Sequence, residues 1–296
     1  MSALRLSVLD QVPATEHVPY ADAPASSLRL AQEVEDLGYH RIWFAEHHRS
    51  PTFASAAPEM MATMALERTQ RIRVGTGGIL LPLYPAQKVA EVMGLLHNVH
   101  GNRVDTGVGC AAFDDPDYAA KIAALVRDLD DQVWVLGAGG SAAPLAGQLG
   151  AGYVHGHFFV PHGGEQATAA YRSAAEASGN SASTMLAVRA VTAEDPEYAK
   201  DLGNAMVLWR VLKDLGQEVP VPSVETARNH RWTEEQLTRA AARRKAVIAG
   251  TPEEVRDRLV ALALSHGADE VMVNTLVSDP ADRVASYRLL AEATDG

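Results

Sequence analysis

Short apolar runs alternate with longer amphipathic stretches along most of this chain. Residues 4–9 form an apolar run that reads as a strand. Residues 25–37 place Leu28, Ala31, Val34 and Leu37 at helical spacing, and Gly38 ends that pattern. The same alternation continues. Strands are expected at 41–45, 72–75, 104–108, 133–136, 152–155 and 184–192. Helices are expected at 56–66, 87–99, 118–129, 142–149 and 164–177. Strands separated by helices of this length predict parallel pairing through right-handed crossovers. At least seven such units favour a closed (β/α)8 TIM-type barrel over an open doubly wound sheet.

The rhythm breaks over residues 194–248. A helix is expected near 198–215, then a proline-rich joint at 219–222 and a charged helix near 233–247. This stretch reads as a helical insertion, an excursion before the last strand of a single domain spanning 1–296. Thr251 can cap a following helix that carries Pro252, Glu253 and Glu254 in its first turn and ends at His266. Residues 271–274 supply the last strand and 280–293 the closing helix.

Bulk properties narrow the classes. A 296-residue chain that is 47% hydrophobic can fill a barrel core. A formal net charge of -11 argues against nucleic-acid partners. One cysteine, Cys110, excludes an intrachain disulfide. No apolar run approaches the ~20 residues of a membrane span, and the N-terminal run is broken by Arg5, Ser7 and Asp10. A cytoplasmic protein with no membrane partner is expected.

In a barrel, chemistry gathers at the C-terminal ends of the strands. Glu46, His47 and His48 follow the second strand. They suit proton transfer near neutral pH, or else form a hydrogen-bonded structural group. Side-chain alternation lets only one of the two histidines face the axis. No second cluster has metal-ligand spacing, so no metal is expected. Gly75, Gly77 and Gly78 follow the third strand and either admit a flat ligand or make a tight turn. Gly137, Gly139, Gly140 and Ser141 open the helix at 142–149. Free N–H groups there suit a phosphate, and a plain Ser141 cap is the alternative. Cys110 reads more simply as a small buried residue than as a reactive thiol. His155 and His157 either face the pocket or pack. Trp134 reads as core, and Asp114, Asp115 and Asp117 as a solvated loop.

Together these segments resemble the bacterial luciferase-like flavin monooxygenase family. The resemblance rests on LSVLDQVP (6–13), QEVEDLGYHR (32–41), AEHH (45–48), SAAPE (55–59), RTQRIRVGTGGILLP (68–82), KVAE (88–91), VWVLGAGGSA (133–142), AGTPEEVRDRL (249–259) and GADEVMV (267–273). It covers nearly the whole chain and is most specific over 41–91. It implies a TIM-type barrel, often a homodimer. It also implies FMN used as FMNH2 from a separate reductase, reacting with O2 through a C4a-hydroperoxide to oxygenate a bulky organic substrate, possibly in secondary metabolism. Carried over by position, His47 is the catalytic acid/base and Glu46 lies beside the isoalloxazine. Gly77 and Gly78 carry a non-prolyl cis peptide under the ring, Gly139, Gly140 and Ser141 hold the phosphate, and His157 lies beside the ring.

Two departures stand out. Cys110 occupies the position of the family's phosphate-binding arginine, which removes a charge-assisted contact. The link from Cys110 to Gln132 is also shorter than usual. Weak flavin binding, or a phosphate held by backbone N–H groups, and a more open pocket are therefore expected. Two other readings remain at this stage: a non-catalytic flavin-binding barrel, and a deazaflavin-dependent oxidoreductase that transfers hydride without O2.

Overall fold

The computed structural model describes residues 4–111 and 113–295. Nine parallel strands carry the fold: β1 Arg5–Asp10, β2 Arg41–Phe44, β3 Arg73–Leu80, β4 Val104–Gly109, β5 Val133–Gly137, β6 Gly152–Gly156, β7 Thr184–Thr192, β8 Val247–Gly250 and β9 Glu270–Asn274. Strands β1 to β7 pair in sequence order, and β9 closes the ring by pairing with both β7 and β1. The result is a closed eight-stranded TIM-type barrel. The ninth strand, β8, lies outside the ring on the upper half of β7, where Arg189 to Thr192 pair with Val247 to Gly250.

Helices α1 Ala23–Asp36, α2 Pro58–Leu66, α3 Ala86–His100, α4 Tyr118–Leu129, α5 Ala142–Leu149, α6 Gly164–Ala177, α10 Pro252–His266 and α11 Pro280–Asp295 follow successive strands. The excursion supplies α7 Pro196–Asp214, α8 Val224–Asn229 and α9 Glu234–Arg243. Thr251 caps α10 in a full capping box with Glu254, satisfying orphan N–H groups at both positions. The charged segment expected as a helix to residue 247 ends instead at Arg243. Val247 opens β8, a four-residue strand whose Val-Ile-Ala-Gly run is too short to separate from a helix end by periodicity. The short helix α8 lies just beyond the proline-rich joint. Strand β3 runs through its glycines to Leu80 instead of stopping at Gly75, because the strand bulges between Thr76 and Ile79 and re-pairs with β4.

Strand parity divides the core in two. Ile42, Phe44, Val74, Val104, Val108, Val133 and Val135 point outward and pack under the helices. Leu9, Trp43, Trp134, Val154, Met185, Ala187 and Met272 fill the barrel interior. Below this layer lies a buried ion network. Arg41 Nε donates to Glu270 at 2.8 Å and its NH1 to Asp105 at 2.9 Å, while Asp105 also accepts from Trp43 Nε1 at 2.9 Å. The barrel floor is thus sealed by compensated charge, and chemistry is left to the opposite end. No helix among the described residues is long and apolar enough to cross a membrane.

Candidate active site at the barrel mouth

The inward parity of β1 and β2 continues past the strand ends and brings Gln11 and His47 to the mouth. His47 is half-buried, its ring 4.3 Å from that of Phe53, and its Nδ1 is enclosed without a hydrogen-bond partner. Gln11 settles the tautomer. Its Oε1 accepts from an Arg189 terminal N–H at 3.4 Å, so its amide N–H side faces His47 Nε2, also at 3.4 Å. An amide nitrogen only donates, so Nε2 is the acceptor and the imidazole proton sits on Nδ1. Burial, with lesser repulsion from Lys213 and His48, pushes the His47 pKa down to about 3. The ring is therefore neutral near pH 7, with one buried N–H that has nothing to donate to.

His48, one residue on, points the other way and binds Glu46. Glu46 shares the outward parity of Phe44. Its carboxylate accepts from the Leu80 N–H at 2.7 Å and the Tyr84 hydroxyl at 2.6 Å. Burial and this carboxylate push the Tyr84 pKa up. Glu46, expected beside a flavin ring, accepts from these three groups and fastens the loop after β3 to the end of β2.

The Gly77–Gly78 peptide is cis, as expected from the resemblance. A Cβ at Gly77 would meet Leu9 Cδ1 at 2.7 Å and Trp43 Cβ at 3.0 Å. One at Gly78 would meet the Gly107 carbonyl oxygen at 2.9 Å. Only glycine fits either position, and the side of β3 facing the mouth is bare backbone. Beyond β5, Gly139 and Gly140 have φ of +123° and +69°, and nothing lies within 4 Å of the place a Cβ would take at either. Ser141 stands at the N-cap of α5 without a side-chain cap bond, so the simple capping alternative does not hold. The turn presents open backbone at a helix N-terminus, a fit for a phosphate, but none of its residues carries a positive charge.

Cys110 follows β4 and is half-exposed, not buried. Ala111 takes φ +47° and turns the chain away. The aspartates beyond it are not all free in solvent either, since Asp115 pairs with Lys121 at 2.8 Å. His157 is buried and packs toward His266 with ring centroids 6.2 Å apart, separate from the His47 group. Burial, with lesser repulsion from the neighbouring histidines, holds its pKa near 4. His155 is structural: its Nε2 meets the Val160 carbonyl at 3.2 Å. Among the described residues, no group of three His, Cys, Asp or Glu is arranged to hold a metal.

The residues that sequence reading missed are Gln11 and Phe53, which touch His47, and Arg189, Trp209 and Asn274, which join them at one remove. A charge within the apolar run of β7 was the one available signal.

Comparison with known proteins places these features in context. The luciferase-like monooxygenase family matches residues 5–119 and 115–270, in two pieces that overlap in the link after β4. The protein YwcH of Bacillus subtilis is 34% identical, covering 97% of this chain and 98% of its own length. The alignment spans 327 positions, longer than this chain, so the relative carries segments with no counterpart here. The N-acetyl-S-alkylcysteine monooxygenase of the same organism is 30% identical, covering 98% of both chains. Among solved structures, apo-MsnO8 superposes with a TM-score of 0.86 at 29% identity, over 99% of this chain and 98% of the other. The oxygenating constituent of 3,6-diketocamphane monooxygenase, solved in complex with FMN, shares the fold at 15% identity and a TM-score of 0.71, over 99% and 98%.

Proposed function

The chain belongs to the luciferase-like monooxygenase family, and on that premise we propose that it oxygenates a small organic molecule with O2, using FMNH2 delivered by a separate flavin reductase. The observation that carries this reading is the unpartnered, enclosed Nδ1–H of His47 beside the bare glycine face of strand β3. A buried donor with no acceptor costs about 1–3 kcal/mol, and it is retained where a ligand will supply the acceptor. Reduced flavin, when bound, supplies the electrons that activate O2.

The protein's own residues supply position and protons. Gly77 and Gly78 leave room for a flat ring against the backbone. Gly139, Gly140 and Ser141 offer N–H groups to a phosphate. His47, neutral at working pH, holds its proton on Nδ1 for donation into the mouth. Gln11 fixes that tautomer from the other ring nitrogen. Trp209 and Phe53, from α7 and the loop after β2, cover the group and exclude water. Cys110 brings no charge to the phosphate, so modest FMN affinity fits this turn. Exposed Met60 on α2 and Leu95 and Val99 on α3 suit a homodimer face.

The test is a titration of the purified protein with oxidised and photoreduced FMN under argon, then mixing with O2 in the presence of a thioether such as an N-acetyl-S-alkylcysteine. Saturable binding of the reduced form, with substrate-dependent O2 uptake lost in His47→Gln, is expected. Absence of binding by either flavin form would overturn the reading.

A further inference from the structure

Three arginines are buried among the described residues, and only one of them lacks a carboxylate. Arg41 faces Asp105 and Glu270, and Arg283 faces Asp10 at 3.2 Å. Arg189, 4% exposed, has neutral partners: its Nε donates to Asn274 Oδ1 at 3.1 Å and one terminal nitrogen to Gln11 at 3.4 Å. Its flanks are aromatic, with the guanidinium carbon 5.1 Å from the Phe158 ring centroid and 5.3 Å from that of Trp209. No acid offsets its charge among the described residues. The neighbouring ionisable side chains are themselves cationic. Burial first, then Arg210 and Arg243, push its pKa down to about 9, so it stays protonated near pH 7. Arg210 and Arg243 do not share the deficit, because both pair with Asp214. Lys213, over the Phe53 ring, has Glu218 at 3.6 Å.

A buried charge without a counter-ion is strongly unfavourable, and aromatic faces and amide oxygens offset it only in part. The missing partner is an anion that arrives with a ligand. Placement separates two sources. In ring order β7 stands across the barrel from β3, and the glycine strand and phosphate turn proposed for FMN lie on β3 and β5. Arg189 sits instead under α7 of the excursion, one amide away from His47.

We propose that Arg189 receives a carboxylate, or a similarly anionic oxygen, of the organic substrate and so selects acidic substrates for the oxygenation proposed above. The inference rests on that reading for its catalytic meaning, but not for its binding test. A planar guanidinium held by Asn274 and Gln11 is pre-oriented for two-point recognition of a carboxylate. Because Gln11 also touches His47, an anion anchored there brings the rest of the substrate alongside the histidine.

The test is calorimetric binding of phenylacetate and of phenylacetamide, its neutral counterpart, to the full-length protein with and without FMN. The parent should prefer the acid by about tenfold or more, or about 1.4 kcal/mol. In Arg189→Met the preference should fall to about one. In Arg189→Lys, which keeps charge but loses the fork, an intermediate preference should remain and shows that loss in the methionine variant is not misfolding. FMN affinity should change little in either variant. The proposal is overturned if the parent shows no preference or binds neither compound, or if the preference survives in Arg189→Met. It is also overturned if that substitution weakens FMN by about tenfold, which would assign the guanidinium to the flavin. A parent that prefers phenylacetate yet ignores FMN would sink the monooxygenase reading and leave the anion site standing.

Discussion

Replacing Arg41 with methionine should expose how the barrel floor is held. The side chain is 6% exposed and makes three hydrogen bonds, to Glu270 at 2.8 and 3.1 Å and to Asp105 at 2.9 Å. Methionine roughly keeps the volume under Trp43 and Trp134 but removes the charge. Breaking one side of a buried pair costs about 3–5 kcal/mol, because the remaining charge is uncompensated. Here the orphans keep other partners. Asp105 retains Trp43 Nε1 and Arg73, and Glu270 retains Ser7 with Arg5 at 3.9 Å. The low end, ~3 kcal/mol, is therefore expected, and with ~2–4 °C per kcal/mol this lowers Tm by about 6 °C or more. Scanning calorimetry at pH 7 reads it. Adding Glu270→Gln to the same chain should return part of the loss, since the penalty lies in the stranded carboxylate. A Tm change below about 2 °C for Arg41→Met, or a further drop in the double variant, would refute the reasoning. FMN affinity should be untouched in both, since the network lies below the interior layer and the site above it.

Three further outcomes are expected, two at the site and one at a helix cap. Cys110→Arg should tighten FMN by about tenfold in fluorescence titration by restoring a charge-assisted phosphate contact, and no change would mean that the phosphate lies elsewhere. His47 has a folded pKa near 3 against an ordinary 6.5, so its contribution to stability is full above about pH 6.5 and is lost as pH falls toward 3. Urea melts should show His47→Gln losing less stability than the parent between pH 6.5 and 4, while equal losses would contradict the enclosed neutral ring. Thr251→Ala, which removes the capping-box hydroxyl of α10, should cost about 1 kcal/mol in the same melts, and no change would mean that solvent caps the helix equally well.

The ring was legible because its strands are buried on both faces. They stand out as short apolar runs between amphipathic helices, and Tyr118–Leu129 and Ala142–Leu149 match their expected bounds. That only one of His47 and His48 faces the axis was legible from parity, while the choice of His47 came from the family resemblance. What stayed hidden depends on contacts between distant segments. Glu46 looked like a pocket acid, but its partners Leu80 and Tyr84 lie over thirty residues on, beyond a bulge that local pattern reads as a turn. Arg189 is a single charge in the run TMLAVRAVT, and only ring closure puts Gln11 and Asn274 beside it and no acid. Whether a buried charge is compensated is a property of the assembled barrel, and no window of sequence contains it.

The excursion leaves the barrel after Thr192 and returns at Gly250, and these two residues pair directly, with the Thr192 hydroxyl donating to the Gly250 carbonyl at 2.9 Å. Its two ends are thus pinned together on the overhang of β7, outside the closed ring. A segment anchored in this way behaves as a cassette: exchanging it for another of different length changes little in loop-closure entropy and breaks no ring pairing. Trp209 and Lys213 travel with it, while Gln11, His47 and the glycines of β3 stay behind. The aromatic cover over Arg189 is therefore carried on a replaceable part, while Arg189 itself stays on β7 with the chemistry, and grafting the equivalent segment of a relative between Thr192 and Gly250 should reshape the space beside the guanidinium without removing it.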